Sequence, residues 1–220
     1  MKLNYFTVLV LAFSGILQAN AQVTPATTTP ASQTLKPAPK FSFNIPLGYT
    51  FDESASFDGG KLSAEGAFQY GGALEFFSSP TTSGELSYQR MATTFPVFST
   101  NGTDLNATDP EGSLNYILLG GNKYIQKPGS NAMPFFGAGA GIGIMNSKGQ
   151  SSTNFAFNLK MGVKIATAKS LALKLQAYAQ SMTATFGSDY WQTGSGNVVA
   201  YPDRVFLFQF GLGGAICFDR

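Results

Sequence analysis

The 220-residue chain carries 14 basic and 12 acidic side chains, no histidine and a single cysteine, Cys217. This balance gives nothing to steer the chain toward nucleic acid. The missing histidine excludes Ser-His-Asp and Cys-His catalysis, and one thiol excludes an intramolecular disulfide. With only 12% charged residues against 44% hydrophobic and 25 glycines, the chain has too little charge to coat a water-soluble globule.

Residues 1–21 place Lys2 ahead of a short apolar run and end on Ala19-Asn20-Ala21, the three regions of a secretory signal peptide. The run is too short to span a bilayer comfortably. Residues 22–40 are rich in Pro, Thr and Ala and predict an extended periplasmic linker. Residues 41–220 then form one domain.

Within it the pattern is alternation. Phe41, Phe43, Ile45, Leu47, Tyr49 and Phe51 share one face of a first strand, and Ser42, Asn44, Pro46, Gly48 and Thr50 share the other. A second strand, 64–77, carries Phe68, Tyr70, Leu74 and Phe76; a third, 84–95, carries Leu86 and Tyr88; a fourth, 112–125, carries Leu114, Tyr116, Leu118 and Tyr124. In the third, Arg90 shares the parity of Leu86 and Tyr88. Strict alternation would point it at lipid, at a midplane cost of roughly 2–4 kcal/mol, so a bulge near Gln89 is expected to turn it inward.

The fifth strand, 134–145, covers nearly all of residues 133–144, "MPFFGAGAGIGI". Its glycine density suggests a phosphate loop, but the third glycine of G-x-G-x-x-G falls on Ile142 or Ile144, and turn chemistry rather than a helix follows in "MNSKGQSST". Gly137, Gly139, Gly141 and Gly143 instead share one strand face, opposite Phe136, Ala138, Ala140, Ile142 and Ile144. Glycine there lines the inside of a narrow, tightly curved sheet. The sixth strand, 153–165, alternates Phe155, Phe157, Leu159, Met161, Val163 and Ile165 with Lys160 and Lys164. The seventh, 171–183, carries Leu171, Leu173 and Leu175, and the eighth, 204–218, carries Phe206, Phe208, Phe210, Leu212, Ile216 and Phe218.

Eight strands joined alternately by short turns and by mostly longer polar loops predict an all-β, eight-stranded, antiparallel up-and-down transmembrane barrel. Both termini fall on the short-turn, periplasmic side. The bulky apolar face is too large for an eight-stranded interior, and the small polar face too sparse for a soluble exterior, so the apolar face is turned toward lipid. Phe41, Tyr124, Phe136 and Phe218 then form a girdle at the short-turn rim, with Tyr49, Phe51, Phe68, Phe155 and Phe206 at the other.

Over residues 41–218 this pattern resembles the small OmpA/OmpX-like outer-membrane β-barrel proteins of Gram-negative bacteria, and the signal ending in Ala-Gln looks like those of the Bacteroidota. The resemblance implies insertion by the outer-membrane assembly machinery, which reads a last strand ending in an aromatic; Gly213, Ile216 and Phe218 suit it. Gly211, where a polar residue is usual, and the added Asp219 and Arg220 depart from the pattern.

Inside such a barrel, Glu75, Glu85, Lys123, Lys164 and Lys174 are expected near the periplasmic end, with Lys160 a little higher. Isolated buried charges are costly, so this cluster should pair and close the lumen as an electrostatic plug; the plainer reading has the same residues only filling and solvating it. Asp104, Asp109 and Glu111 read as solvated loop acids, and Tyr190, Trp191 and Tyr201 as an adhesive tip or part of the outer girdle. The chain is thus read as a non-enzymatic protein of the outer membrane, structural or engaging an extracellular ligand through its long loops, with no catalytic residue, cofactor or metal. The alternative is a narrow porin or transporter for small solutes or apolar ligands.

Overall fold

The computed structural model describes residues 39–57, 60–99, 111–147, 150–185 and 204–220. The predicted signal peptide, the linker up to residue 38, Asp104, Asp109 and the group Tyr190, Trp191 and Tyr201 lie outside them. Alternation becomes backbone pairing in eleven strands: β1 (Phe41–Thr50), β2 (Glu53–Phe57), β3 (Gly60–Ala64), β4 (Ala67–Ser79), β5 (Thr82–Thr94), β6 (Val97–Ser99), β7 (Glu111–Tyr124), β8 (Ala132–Ser147), β9 (Gln150–Ala168), β10 (Leu171–Thr185) and β11 (Arg204–Asp219). Eight of them close in the order β1-β11-β10-β9-β8-β7-β5-β4, with β4 returning antiparallel to β1. Closure satisfies every strand edge within the wall, as a bilayer without water demands.

The turns after β4 and β9 lie at the end where Lys40 N–H donates to the Arg220 carbonyl at 2.6 Å, so both described termini share the short-turn rim. At the opposite end the connections carry a feature not expected from the sequence, a small sheet in the order β2-β3-β6. There β8 and β9 also run on for 16 and 19 residues, beyond the roughly 9–11 that a tilted strand needs to cross. Much of "MNSKGQSST" is therefore strand rather than turn, because Asn146, Ser151 and Ser152 go on pairing outside the apolar band.

Seven of the eight barrel strands turn the predicted apolar face outward. The exception is β7. Leu114, Tyr116, Leu118 and Tyr124 are buried in the barrel, while Ile117 and Leu119 face out, Leu119 at 69% exposure. β7 is apolar on both parities, so its alternation does not decide its direction; the polar groups do. Asn122, of the inward parity, bonds to Glu75 and Glu85 inside, whereas Lys123 is exposed on the outer face and donates to the Thr81 and Thr82 hydroxyls at 3.1 and 2.9 Å. Lys123 is thus no lumen charge, and Tyr124 is no girdle residue.

Arg90 is the second correction. The register passes Gln89 on both sides without a shift, so there is no bulge and Arg90 stays outward. Its Nη1 donates to Asn115 Oδ1 at 3.2 Å, and Tyr88 OH donates to the same oxygen at 3.0 Å. It stands near the long-loop end of β5, where an outward arginine costs only about 0–1 kcal/mol.

The glycine face of β8 lies inside, as its parity predicts. A Cβ at Gly137 would overlap Asn122 Oδ1 and approach Lys160 Cε to 2.9 Å. Glycine there is the space into which a longer lumen side chain reaches.

The β7 register has a direct test in folding free energies measured in lipid vesicles. Leu119→Arg, at mid-height on the lipid face, is expected to destabilise the barrel by about 2–4 kcal/mol. Lys123→Gln at the rim should change it little.

Candidate functional site: the barrel lumen

Inward parity on seven strands delivers the polar groups that meet near the short turns: Asn44 from β1, Glu75 from β4, Ser83 and Glu85 from β5, Asn122 and Tyr124 from β7, Lys160 and Lys164 from β9, Lys174 from β10 and Asp219 from β11. Glu75 has no exposure and accepts from five donors: Ser83 Oγ and Tyr124 OH at 2.5 Å, Lys174 Nζ at 2.7 Å, Asn122 Nδ2 at 2.8 Å and Asn44 Nδ2 at 3.2 Å. Lys160 pairs with Glu85, which also accepts from Asn122 Nδ2 at 3.0 Å and lies 3.9 Å from Lys174. Lys164 pairs with Asp219 at 2.8 Å.

Three carboxylates therefore face three lysines, and the cluster is neutral. Five of the six sequence-predicted residues meet here: Glu75, Glu85, Lys160, Lys164 and Lys174. The sixth, Lys123, is outside, and Asp219 takes its place. Counted with Lys123, the set would hold four lysines against two acids, an imbalance that a narrow, dry lumen could not stabilise. Asp219 carried a sequence signal, since it continues the inward parity of Cys217.

Aromatic rings lie beside these charges. Tyr124 stands between Phe77 and Phe135, with ring centroids 5.7 and 5.5 Å away. Lys174 Nζ lies 5.6 Å from the Tyr124 ring and 5.3 Å from Phe135, and Lys164 Nζ lies 5.1 Å from Phe77. Ring faces supplement the carboxylates as partners for ammonium groups that water does not reach.

Toward the long loops follows a layer of uncharged hydrogen bonds. Tyr178 OH and Thr50 Oγ1 are 2.9 Å apart, and Thr50 donates to Gln69 Oε1 at 2.9 Å. Gln69 Nε2 donates to Gln89 Oε1 at 2.5 Å and to Gln180 Oε1 at 3.1 Å; Gln180 Nε2 and Tyr116 OH both donate to Gln209 Oε1, at 3.2 and 3.0 Å. The Tyr116–Gln209 bond joins β7 to β11, opposite walls of the barrel. Tyr178 lies across Gly211, where a Cβ would overlap its ring. In the sequence this layer is four glutamines of inward parity, Gln69, Gln89, Gln180 and Gln209, whose lack of charge gives no pairing constraint.

The last layer is apolar. Leu62 and Ala64 from β3 and Phe95 after β5 pack with Met91, Leu114, Met145, Met182 and Leu207, all buried. Among the described residues the lumen is thus occupied at three levels: ionic, amide and apolar.

No protein-family model matches the sequence, and no curated protein does. Solved structures do match the fold. Neisserial surface protein A (NspA) superposes with a TM-score of 0.56 at 12% identity, covering 82% of this chain and 97% of that one. The outer membrane protein OprG from Pseudomonas aeruginosa gives 0.54 at 12% identity, covering 84% and 98%. The fold is that of the small outer-membrane β-barrels, and its outward face is an apolar band.

Glu75→Gln leaves the buried Lys174 with Glu85, at 3.9 Å and already paired with Lys160, as its counter-charge. It is expected to cost about 3–5 kcal/mol in urea unfolding from vesicles. Glu75→Gln combined with Lys174→Met removes both charges and should recover most of that loss.

Proposed function

We propose that the protein is a structural or surface-interaction barrel of the outer membrane whose lumen does not conduct. The observation that carries this reading is the sequence of three occupied layers, bridged wall to wall by Lys160–Glu85, Lys174–Glu75 and Tyr116–Gln209. An ion crossing would have to break buried pairs that water does not reach to replace. A lumen route for solutes finds no support in that arrangement.

The same arrangement argues against catalysis at the lumen carboxylates. Glu75 accepts from five donors and Glu85 is held by Lys160 and Asn122, so neither is free to take a proton from a substrate. The role then falls to the long-loop end, where β2, β3, β6 and the long hairpin of β8 and β9 stand beyond the apolar band as a surface for an extracellular ligand. Insertion by the assembly machinery through β11, with outward Ile216 and Phe218, belongs to the same reading.

Planar bilayers test it. Refolded full-length protein is expected to show no stable unitary conductance in molar potassium chloride. A large, long-lived channel would overturn the plug and favour the narrow pore instead.

A further inference from the structure

Charge is unevenly divided between the two ends of the barrel. Lys40, Lys123, Lys127, Lys169 and Arg220 all lie at the short-turn rim and are all exposed. Among the described residues the one acidic side chain at this end is Asp219, which points inward and is paired with Lys164; Asp52, Glu53, Glu65 and Glu111 lie at the long-loop end, and Glu75 and Glu85 are paired in the lumen. The ion pairs of the described residues use only Lys160, Lys164 and Lys174. Apart from the inward-paired Asp219 and the α-carboxylate of Arg220, the rim carries five cations without an anion.

Their placement is that of a ring around the wall. Lys40 and Arg220 sit on the paired ends of β1 and β11, and the turn holding Lys169 is tied to β11 through Asp219 N–H and the Ser170 carbonyl at 3.0 Å. Lys127 follows β7 on the far side. Lys123 is on the lipid-facing side of β7, opposite Phe136 of the apolar band, and its ammonium is held at the Thr81 and Thr82 hydroxyls. Phe41 and Phe218, next to this rim, face outward as well. The cations therefore stand at the level where the hydrocarbon ends and headgroups begin.

We propose that this rim binds the phosphates of anionic phospholipids in the periplasmic leaflet. Lys123 with Thr81 and Thr82 supplies an ammonium and two hydroxyls for one phosphate, and Lys40, Lys169 and Arg220 form a contiguous basic face for another. Lipid is the favoured partner because Lys123 points sideways from the wall, beside Phe136, and not down the barrel axis. The inference rests on the barrel's seat in a membrane and is independent of whether the lumen conducts.

The test uses the full chain in phosphatidylcholine bilayers, with spin-labelled phosphatidylglycerol or phosphatidylcholine reporting the first lipid shell. Phosphatidylglycerol is expected to associate roughly twofold or more in preference, falling toward equality in molar salt. The variant K40Q/K123Q/K127Q/K169Q/R220Q should lose the preference and K61Q/R90Q, at the other end, should keep it. If the fivefold variant does not fold by heat-modifiable mobility, K123Q alone should give a partial loss. Equal association of the two lipids with the native chain would overturn the proposal. So would a preference that survives substitution of the rim, or binding of soluble polyglutamate to the rim without any lipid preference, which would make it an aqueous docking face.

Discussion

The neutral cluster around Glu75 is the constraint on which the rest of the barrel depends. Three carboxylates and three lysines are withdrawn from water in a space little wider than their own side chains, and such a set is tolerable only when every charge has a partner at contact distance. The partners come from different walls: Glu75 on β4 meets Lys174 on β10, and Glu85 on β5 meets Lys160 on β9. Each bond therefore fixes the relative height of strands that do not touch. A slip by one residue in any of these strands would send a lysine or glutamate to the lipid side and leave its partner alone, so the ions specify the register that the apolar exterior only favours.

That cluster also explains why so much of the lumen is glycine. Long side chains crossing a narrow barrel need somewhere to lie, and the opposite wall must be bare where they arrive. Lys160 and Asn122 come together over Gly137, and Tyr178 occupies the room left by Gly211. Large and small inward residues are thus complementary across strands, while outside the same strands carry Phe, Leu and Ile without such matching, because lipid tails adapt to whatever shape they meet.

Most of this was legible in the sequence, and two of the failures share a cause. Where one parity was apolar and the other small or polar, as in β1, β9 and β11, the direction of every side chain followed from period two. β7 carries Leu114, Tyr116 and Leu118 on one parity and Ile117 and Leu119 on the other, so its local pattern held no answer. The answer lay in Asn122 and its bonds to two strands nearby in the barrel, a relation that pairwise alternation cannot express. The misplaced Lys123 and Tyr124 descend from that one strand, whereas Asp219 is the last residue of β11, one step past the expected strand end at Phe218. Arg90 failed differently: the expected bulge assumed a midplane position, whereas it donates to Asn115 near the long-loop end of β5, where outward charge is tolerated. The sheet of β2, β3 and β6 left too little periodicity in five, five and three residues to be seen.

Beyond a lumen occupied at three levels lie the two ends, and they differ in chemistry. At the long-loop end, β3 and the chain after β5 bring Leu62, Ala64 and Phe95 into the barrel, so part of the outer loop structure is anchored by apolar burial. A surface mounted in this way can hold its shape without disulfides, which a chain with one buried cysteine does not have. The short-turn end instead carries cations without carboxylate partners, on strand ends and brief connections. The ionic cluster separates the two, for by consuming Glu75, Glu85 and Asp219 inside, it leaves the rim beneath it with lysine and arginine alone. The neutrality of the lumen cluster and the positive charge of the short-turn rim are therefore consequences of a single distribution of acidic residues along the barrel axis.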